Sequence, residues 1–518
     1  MFVGKLLTDM SSKLPHSYLR LLLVLSALLL ILSAAQPAAA FKFLTMEVPK
    51  EFSSSGARIH PVDLIGNEGK ELLVVQGSTA TLLTPDGSKF KEHQKLLIPV
   101  PTKANGKTYY AFARLGDGTR HSLVLLMPEG IFYFPTEKDL ISDTPVPLIK
   151  KEMIQGQGSG QQVQHFEFAI DLNGDKLDDF LVPEQNSFTI YRQTEPKQFS
   201  PVSLPRNPYE VESSFAFHRE LPDDPVRTAS ISGNISTRRG VTDLLLYDAN
   251  SDGLQDLVYS STRPGPNSRQ VERYEVFLQR KGFSFDQKPA QVLEVPFETG
   301  ADVTFRDVNR DGRLDTIMVK SNFDIVNPRT IIKFYVAGKD SYQLFTRETD
   351  RFVTKDPIGL VRVADFNNDG ATDFATTFFS YQFGSAEDVV DFALGNKLRF
   401  KLQFYLGRAA AGFNRSPDFE KELSIAMKPD SYKGYLPVMI TEDLNGDKTM
   451  DLVVRREEGL LEVYPSKDGL AFERNPAGEI ETPDDAVITF EDMDADGLQD
   501  IIISSPLKES CSIHISRP

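Results

Sequence analysis

A nine-residue segment rich in aspartate recurs six times in this chain, and it restricts the possible folds more than any other feature. In each copy the first, third and fifth positions are Asp or Asn and the ninth is Asp. An apolar, strand-like run follows at once, such as Leu452-Val453-Val454. The copies begin at Asp171, Asp248, Asp307, Asp365, Asp443 and Asp492. Self-similarity at spacings of 49 to 78 residues predicts a repeat architecture rather than several unrelated domains.

Two degenerate copies precede these six and bring the count to eight units. The first runs from Asp63 to Glu71, and the second begins at Arg114 and keeps Asp117. Several short strands per unit, separated by Gly, Pro, Asn and Asp, are typical of four-stranded propeller blades. A linear β-solenoid would use much shorter coils, of about 20–30 residues. The sequence therefore predicts an all-β protein, a β-propeller of eight blades, with seven blades as the alternative.

The two ends of the chain predict how the ring closes. Only two strand-like runs, 501–504 and 512–516, follow the last motif, so the last blade lacks one strand. A strand-like run at 41–48 precedes the first motif and belongs to no other unit. We expect this N-terminal strand to complete the last blade, because that pairing removes two exposed sheet edges.

The motif has the composition of a calcium loop. Alternating carboxylate and amide oxygens, a Gly for a sharp turn and a last carboxylate form a hard-cation site. It is not a helix-loop-helix calcium hand, because the last carboxylate stands at position 9 and a strand follows. The alternative is a turn without metal, since Asp, Asn and Gly also dominate ordinary turns. The predicted calcium ligands, in up to six sites, are Asp171, Asn173, Asp175, Asp179, Asp248, Asn250, Asp252, Asp256, Asp307, Asn309, Asp311, Asp315, Asp365, Asn367, Asp369, Asp373, Asp443, Asn445, Asp447, Asp451, Asp492, Asp494, Asp496 and Asp500.

Some copies depart from this pattern. Lys176 and Lys448 replace the Gly of position 6, and the Gly moves to positions 174 and 446. In the degenerate unit at Asp63, Ile65 stands where an oxygen ligand belongs, so we expect no metal there. The unit around Asp117 keeps too few oxygens to bind a cation.

On these loops the chain resembles the FG-GAP/VCBS-type β-propellers, whose repeat also builds the heads of integrin α-subunits. The resemblance covers residues 41–518, and the nine-residue loop is its specific part. It implies a single propeller domain, calcium held in the blade loops, and an extracellular binding or adhesion role. The same group includes propellers appended to, or acting as, carbohydrate-active enzymes, so the resemblance identifies no ligand.

The sequence of residues 1–40 predicts that the protein is exported. A basic start is followed by the apolar run 21–32 and by small residues at Ala38 and Ala40. This order is that of a secretory signal peptide cleaved before Phe41, which would leave no stable membrane span. An uncleaved anchor is the alternative, although the run is shorter than the ~20 residues that span a bilayer. We expect a periplasmic, cell-surface or secreted protein.

Charge and cysteine content exclude several classes of function. The formal net charge of −16 argues against a nucleic-acid partner, because binding to phosphates needs clustered Lys and Arg. Cys511 is the only cysteine, so the chain has no intramolecular disulfide or thiol-pair redox site. The seven His are scattered and form no metal-binding pair by spacing. We place Cys511 in the core and His514 on the exposed face of the last strand, and we predict no catalytic or organic-cofactor residue.

Two units carry insertions, and the sequence of neither insertion indicates a function. The insertion near 207–239 is rich in aromatic and charged residues, and the other predicts a short helix over 386–394. The leading hypothesis is a calcium-binding propeller that binds a protein or glycan partner without chemistry. The alternatives are a polysaccharide lyase or hydrolase and a structural component of the cell envelope. An enzyme should bring titratable groups with perturbed pKa values together near the channel, and a binder should show an aromatic or apolar patch.

Overall fold

The computed structural model describes residues 41–66, 69–101, 107–116, 120–153, 163–184, 187–205, 215–219, 231–237, 240–250, 252–264, 270–296, 301–309, 311, 315–322, 329–337, 348–354, 358–379, 398–408, 412–425, 438–440, 443–457, 459–467, 471–472, 475–483, 485–505 and 507–517. Regular structure in these ranges is β-strand apart from one three-residue 3-10 helix, Lys50–Phe52. None of their helices has the length and hydropathy needed to cross a membrane. The predicted signal peptide and the predicted helix at 386–394 lie outside the described residues.

The described strands group into eight sets that follow one another along the chain, and their pairings are antiparallel except for that of Val163–His165 with Thr108–Ala113 and a single bridge between Glu47 and Lys89. The chain enters through strand β1 (Lys42–Val48). Set 1 holds β2 (Arg58–Val62), β3 (Glu71–Gln76), β4 (Thr79–Asp86) and β5 (Lys89–Leu97). Set 2 and its side hairpin β9–β10 hold β6 (Thr108–Ala113), β7 (Ser122–Met127), β8 (Gly130–Tyr133), β9 (Thr136–Glu137), β10 (Leu140–Ile141), β11 (Val146–Lys150) and β12 (Val163–His165).

The next two sets include the first insertion. Set 3 holds β13 (Ala169–Ile170), β14 (Asp179–Glu184), β15 (Ser187–Glu195) and β16 (Gln198–Ser203). Set 4 and its side hairpin β22–β23 hold β17 (Phe215–Arg219), β18 (Ile231–Thr237), β19 (Gly240–Tyr247), β20 (Asp256–Pro264), β21 (Gln270–Phe277), β22 (Gln279–Arg280), β23 (Ser284–Phe285) and β24 (Gln291–Pro296). Strands β17 and β18 come from the insertion and extend the set beyond β19.

The last four sets complete the chain. Set 5 holds β25 (Ala301–Arg306), β26 (Asp315–Asn322), β27 (Arg329–Tyr335) and β28 (Glu348–Thr354). Set 6 holds β29 (Ile358–Ala364), β30 (Asp373–Phe379), β31 (Leu398–Tyr405) and β32 (Phe419–Ile425). Set 7 and its side hairpin β36–β37 hold β33 (Val438–Ile440), β34 (Leu452–Glu457), β35 (Leu460–Tyr464), β36 (Ser466–Lys467), β37 (Ala471–Phe472) and β38 (Gly478–Glu481). Set 8 holds β39 (Val487–Glu491), β40 (Asp500–Ser505) and β41 (Ser510–Arg517).

Each aspartate-rich loop connects two neighbouring strands of one set, as at 307–315 between β25 and β26. The strand after the loop is apolar because it is buried on both faces, as at 501–503. The strands that flank the two degenerate units pair in the same way, β2 with β3 and β6 with β7, although Asp117 itself lies outside the described residues. The sequence repeat is therefore also a structural repeat.

Consecutive sets are joined by hydrophobic clusters. One cluster packs Phe366 and Phe404 of set 6 against Leu452 of set 7. Equivalent clusters join each set to the next along the described chain. A further cluster returns from set 8 to set 1, with Ile502 on one side and Leu72 on the other. Hydrophobic contacts therefore also join the last set to the first.

The N-terminal strand pairs with the last strand of the chain. Strand β1 runs antiparallel to β41, with Lys42 opposite Arg517 at one end and Val48 opposite Cys511 at the other. It also makes a single parallel bridge to β5, from Glu47 to Lys89, which joins sets 8 and 1 in one sheet. Set 8 thus reaches four strands by using both ends of the chain.

The position predicted for His514 was wrong, because β1 covers it. His514 is only 7% exposed, and Thr45 of β1 lies opposite it. Its Nδ1 lies 3.1 Å from Thr45 Oγ1, and its Nε2 lies 3.1 Å from Ser512 Oγ. Burial lowers the pKa of His514 to about 4, so the ring is neutral. Cys511 is buried, as predicted.

Candidate metal loops and a histidine cluster

The six aspartate loops share a frame of backbone hydrogen bonds to side-chain oxygens. Position 1 bends over the loop, and in five copies its Oδ2 accepts the backbone N–H of position 6 at 2.7–3.1 Å: Lys176, Gly253, Gly370, Lys448 and Gly497. Position 5 makes a tighter turn, and its Oδ1 accepts the N–H of position 7 at 2.7–2.9 Å: Leu177, Leu254, Ala371, Thr449 and Leu498. Short carboxylate side chains form these turns locally, so the frame follows from the sequence of each loop.

Position 3 distinguishes the last loop from the other five. Where it is Asn, its amide donates to Oδ2 of position 5 at 2.9–3.1 Å. In the 492–500 loop position 3 is Asp494, whose side chain has no N–H to donate. Asp494 Oδ1 and Asp492 Oδ1 are buried and have no hydrogen-bond partner. Buried polar oxygens are rarely left without a partner, so this pair points to a missing donor or cation.

The oxygens of this last loop also lie close together. Carboxylate oxygens of Asp492, Asp494 and Asp500 are within 4.8 Å of one another, the only such His, Cys, Asp or Glu group among the described residues. Calcium takes six to eight oxygen ligands and prefers carboxylates. The donor set of the 492–500 loop therefore fits a hard cation. Calcium binding at the other predicted ligands stays a prediction.

Position 9 has a role that the sequence did not reveal. Its side chain is buried in all six loops, with an exposed fraction of 0–1%. In the 307–315 loop, Asp315 Oδ2 accepts the N–H of Val308 at 2.8 Å and Oδ1 accepts that of Ala337 at 2.7 Å. The equivalent pair of bonds is present in the other five loops. Position 9 therefore ties the loop to the end of the second strand after the loop, as Asp315 does at the end of β27.

The degenerate loop at Asp63 supports this separation of roles. Glu71 occupies its position 9, is fully buried, and accepts the N–H of Leu64 at 2.7 Å through Oε2. Ile65, which replaces a ligand, is buried as an ordinary core side chain. The bond from position 9 to the start of its own loop is therefore present in a unit that lacks the metal ligands, whereas Glu71 Oε1 has no hydrogen-bond partner and makes no tie to the next strand.

We expect Asp315→Ala to destabilise the protein equally with and without calcium. The substitution leaves two buried N–H groups without acceptors, at about 1–3 kcal/mol each. Asp307→Ala, at position 1 of the same loop, should instead lose most of its stability difference when calcium is removed. Urea unfolding of both variants in chelator and in calcium measures this. Equal calcium dependence of the two variants would contradict separate roles for positions 1 and 9.

The anchoring carboxyls predict an unusual pH dependence. Burial raises the pKa of five of them to about 7 and that of Asp500 to about 6, against the opposing effect of the backbone N–H groups. An unfolded Asp has a pKa of about 3.9. The folded chain then binds more protons than the unfolded chain between about pH 4 and 7, so its stability falls as pH rises through this window. In chelator we expect a higher Tm at pH 5.5 than at pH 8; the reverse order would refute the prediction.

The two lysines at position 6 remain in the turn conformation. Lys176 has a φ of 72° and Lys448 a φ of 69°, which is the left-handed region. Gly174 and Gly446 also have positive φ, so the glycine has not taken over the turn. A side chain in this region costs about 1–2 kcal/mol. Lys448→Gly should therefore raise the free energy of unfolding by about 0.5–1 kcal/mol after the entropy cost of glycine, whereas Lys448→Ala should give no gain.

A second candidate site lies where β2, β6 and β12 meet. His60 Nε2 lies 2.8 Å from the hydroxyl of Tyr110, and the rings of His60 and His165 are 4.6 Å apart. His165 Nε2 lies 3.5 Å from Glu167 Oε2, and Phe112 packs against both imidazoles. Strands β2 and β6 begin sets 1 and 2, and β12 pairs with β6 in parallel. Sequence spacing did not reveal this cluster, because its residues come from three strands far apart in the chain.

The cluster is uncharged at its centre. Burial, together with the neighbouring His165 and Arg58, lowers the pKa of His60 to about 3. Burial also raises the pKa of Tyr110, so the phenol stays protonated. A neutral imidazole beside a phenol can donate to or accept from a ligand hydroxyl, and it can also move a proton.

Comparisons with known proteins do not identify the family. No protein-family model matches this chain, and no curated protein matches it. Solved structures that resemble it include an Agrocybe aegerita lectin that recognises non-reducing terminal N-acetylglucosamine, at 12% identity, a TM-score of 0.41, and 83% of this chain and 92% of that chain covered. The WD40 domain of SCAP from fission yeast has 10% identity, a TM-score of 0.33, and coverages of 86% and 81%.

The V. cholerae biofilm matrix protein Bap1 has 10% identity and a TM-score of 0.21, over 89% of this chain and 77% of that chain. A TM-score below 0.5 does not establish a shared fold. What these three proteins bind therefore says nothing about the ligand of this chain.

Proposed function

We propose that this chain is an exported, calcium-stabilised β-propeller of eight blades, of the FG-GAP/VCBS type, and that it binds a partner without chemistry. Eight sets of strands support the blade count. The cluster that joins Ile502 to Leu72, together with the pairing of β1 with β41, supports ring closure. Closure of this kind suits a binding module, because a ring of blades holds its connecting loops in fixed positions.

The observation that carries the calcium proposal is the pair of partnerless oxygens at Asp492 and Asp494. The same loop frame recurs in five further copies with an Asn in place of Asp494. Calcium would use the oxygens of positions 1, 3 and 5, while position 9 holds the loop in place. The FG-GAP/VCBS resemblance implies a protein or glycan partner, and the signal peptide predicted at 1–40 places the encounter outside the cytoplasm.

The histidine cluster favours a second candidate function, a polysaccharide-active enzyme. Enzymes that act on sugars need hydroxyl-binding and proton-transferring groups close together. His60, Tyr110 and His165 supply such groups: His60 Nε2 lies 2.8 Å from the Tyr110 hydroxyl, and the ring centroids of His60 and His165 are 4.6 Å apart. His60 and His165 are partly exposed and also suit the binding of a glycan that is not cleaved, whereas Tyr110 is fully buried behind them.

A glycan and polysaccharide screen, with and without calcium, separates these functions when it scores both binding and product release. Binding that depends on calcium and forms no product supports the proposed function. Product formation that is lost in Tyr110→Phe and retained in His93→Gln, an exposed histidine elsewhere, supports the enzyme. If no glycan binds, a screen against proteins of the cell surface tests the remaining partner class, and failure of both screens overturns the binding function.

A further inference from the structure

Arg517, the last residue of β41, forms ion pairs with two aspartates of the 492–500 loop. Its Nη2 lies 2.7 Å from Asp494 Oδ2, and its Nη1 lies 3.1 Å from Asp496 Oδ2. Asp494 Oδ1 and Asp492 Oδ1 remain buried without a partner. Arg517 therefore orders the side chains of Asp494 and Asp496 and leaves the two buried Oδ1 atoms without a partner.

The guanidinium of Arg517 compensates the additional negative charge that Asp494 brings to position 3, where the other five loops have Asn. Five loops have Asn at position 3 and so present three carboxylates among positions 1, 3, 5 and 9. This loop has Asp494 there and presents four. With Arg517 included, its net charge becomes −3, the same as that of three carboxylates. Four like charges within a few ångströms repel one another, so the compensation favours the folded loop.

A second loop shows the same compensation independently. The 171–179 loop also contains four carboxylates, because Asp178 adds to its three aspartate ligands. Arg114 Nη2 lies 2.7 Å from Asp178 Oδ1 and 3.7 Å from Asp171 Oδ2. Both loops with a fourth carboxylate thus hold an arginine supplied from elsewhere in the chain.

We propose that Arg517 is a charge-balancing residue that sets the calcium affinity of the 492–500 loop. The inference rests on the proposed calcium function. A guanidinium about 6 Å from a divalent cation in water-like surroundings weakens binding by about tenfold. Arg517 therefore brings a four-carboxylate loop into the affinity range of the three-carboxylate loops, and it holds the loop together when calcium is scarce.

Hydrogen exchange by mass spectrometry tests this loop by loop in the whole exported chain. The readout is the calcium concentration at which the peptide covering 492–500 becomes half protected, with the peptide covering 443–451 as internal control. Arg517→Gln should lower this midpoint about tenfold and should speed exchange of the same peptide in chelator. Asp494→Asn combined with Arg517→Gln should restore both values, because positions 1, 3, 5 and 9 then match the other loops.

The outcomes are distinguishable. An unchanged or raised midpoint in Arg517→Gln, or a double variant that fails to restore it, overturns charge balancing. If no loop of the unaltered chain gains protection from calcium, the calcium function itself fails. Charge balancing is then judged in chelator alone: faster exchange in Arg517→Gln that Asp494→Asn reverses supports it, and equal exchange in all variants refutes it.

Discussion

Removing calcium with a chelator should lower the Tm of this protein by about 8 °C. A site with a Kd of about 0.1 mM at about 1 mM calcium contributes roughly 1.4 kcal/mol, and six such sites contribute about 8 kcal/mol. The unfolding entropy of a chain of this length is about 1 kcal/mol per degree, which converts that energy into the expected shift. Differential scanning calorimetry in chelator and in calcium measures it.

Three controls define the metal effect. Magnesium should restore little of the Tm, because it demands a tight octahedron and gives up its water reluctantly. Asp307→Ala should remove the contribution of one site to the Tm difference between calcium and chelator. Asp63→Ala should leave the response unchanged, because Ile65 has already replaced an oxygen ligand in that loop. Equal Tm values in chelator and in calcium would show that none of the six loops binds calcium.

Deleting residues 41–48 should abolish cooperative unfolding. The deletion removes the strand that pairs with β41 along its whole length and takes Met46 and Val48 out of the cluster between sets 8 and 1. Burial of each of these side chains is worth about 1.5–3 kcal/mol. It also exposes an edge strand that invites aggregation and uncovers the buried ring of His514. Thermal melts followed by near-ultraviolet circular dichroism, with size-exclusion chromatography, measure the loss.

A transplanted strand provides the matched control. Lys42 lies opposite Arg517, so residues 42–48 joined after Arg517 through an Asn-Gly turn would form a hairpin in the same register. This variant should recover a cooperative transition without any strand at the N-terminus. If the simple deletion melts as the full chain does, β1 does not close the ring.

The sequence alone determined the repeated parts of this protein. The aspartate loops and the apolar strands that follow them are visible because their signals are local. A carboxylate at position 5 makes its turn with a backbone N–H two residues away, and the apolar run at 501–503 marks a strand buried on both faces. The partner of β1 was also predictable, because the last unit lacks one strand and the strand-like run at 41–48 belongs to no other unit.

Tertiary structure decided what depends on residues far apart in the chain. The sequence treated position 9 as one more ligand, whereas the structure shows Asp315 anchoring the loop to Ala337, which lies just beyond the end of β27. It placed His514 on an open face, which β1 covers from the other end of the chain. The meeting of His60 with His165, and the contact of Arg517 with Asp494, arise only when strands from separate units pack together. Composition and spacing report the neighbours of a residue along the chain, and burial and charge compensation depend on its neighbours in space.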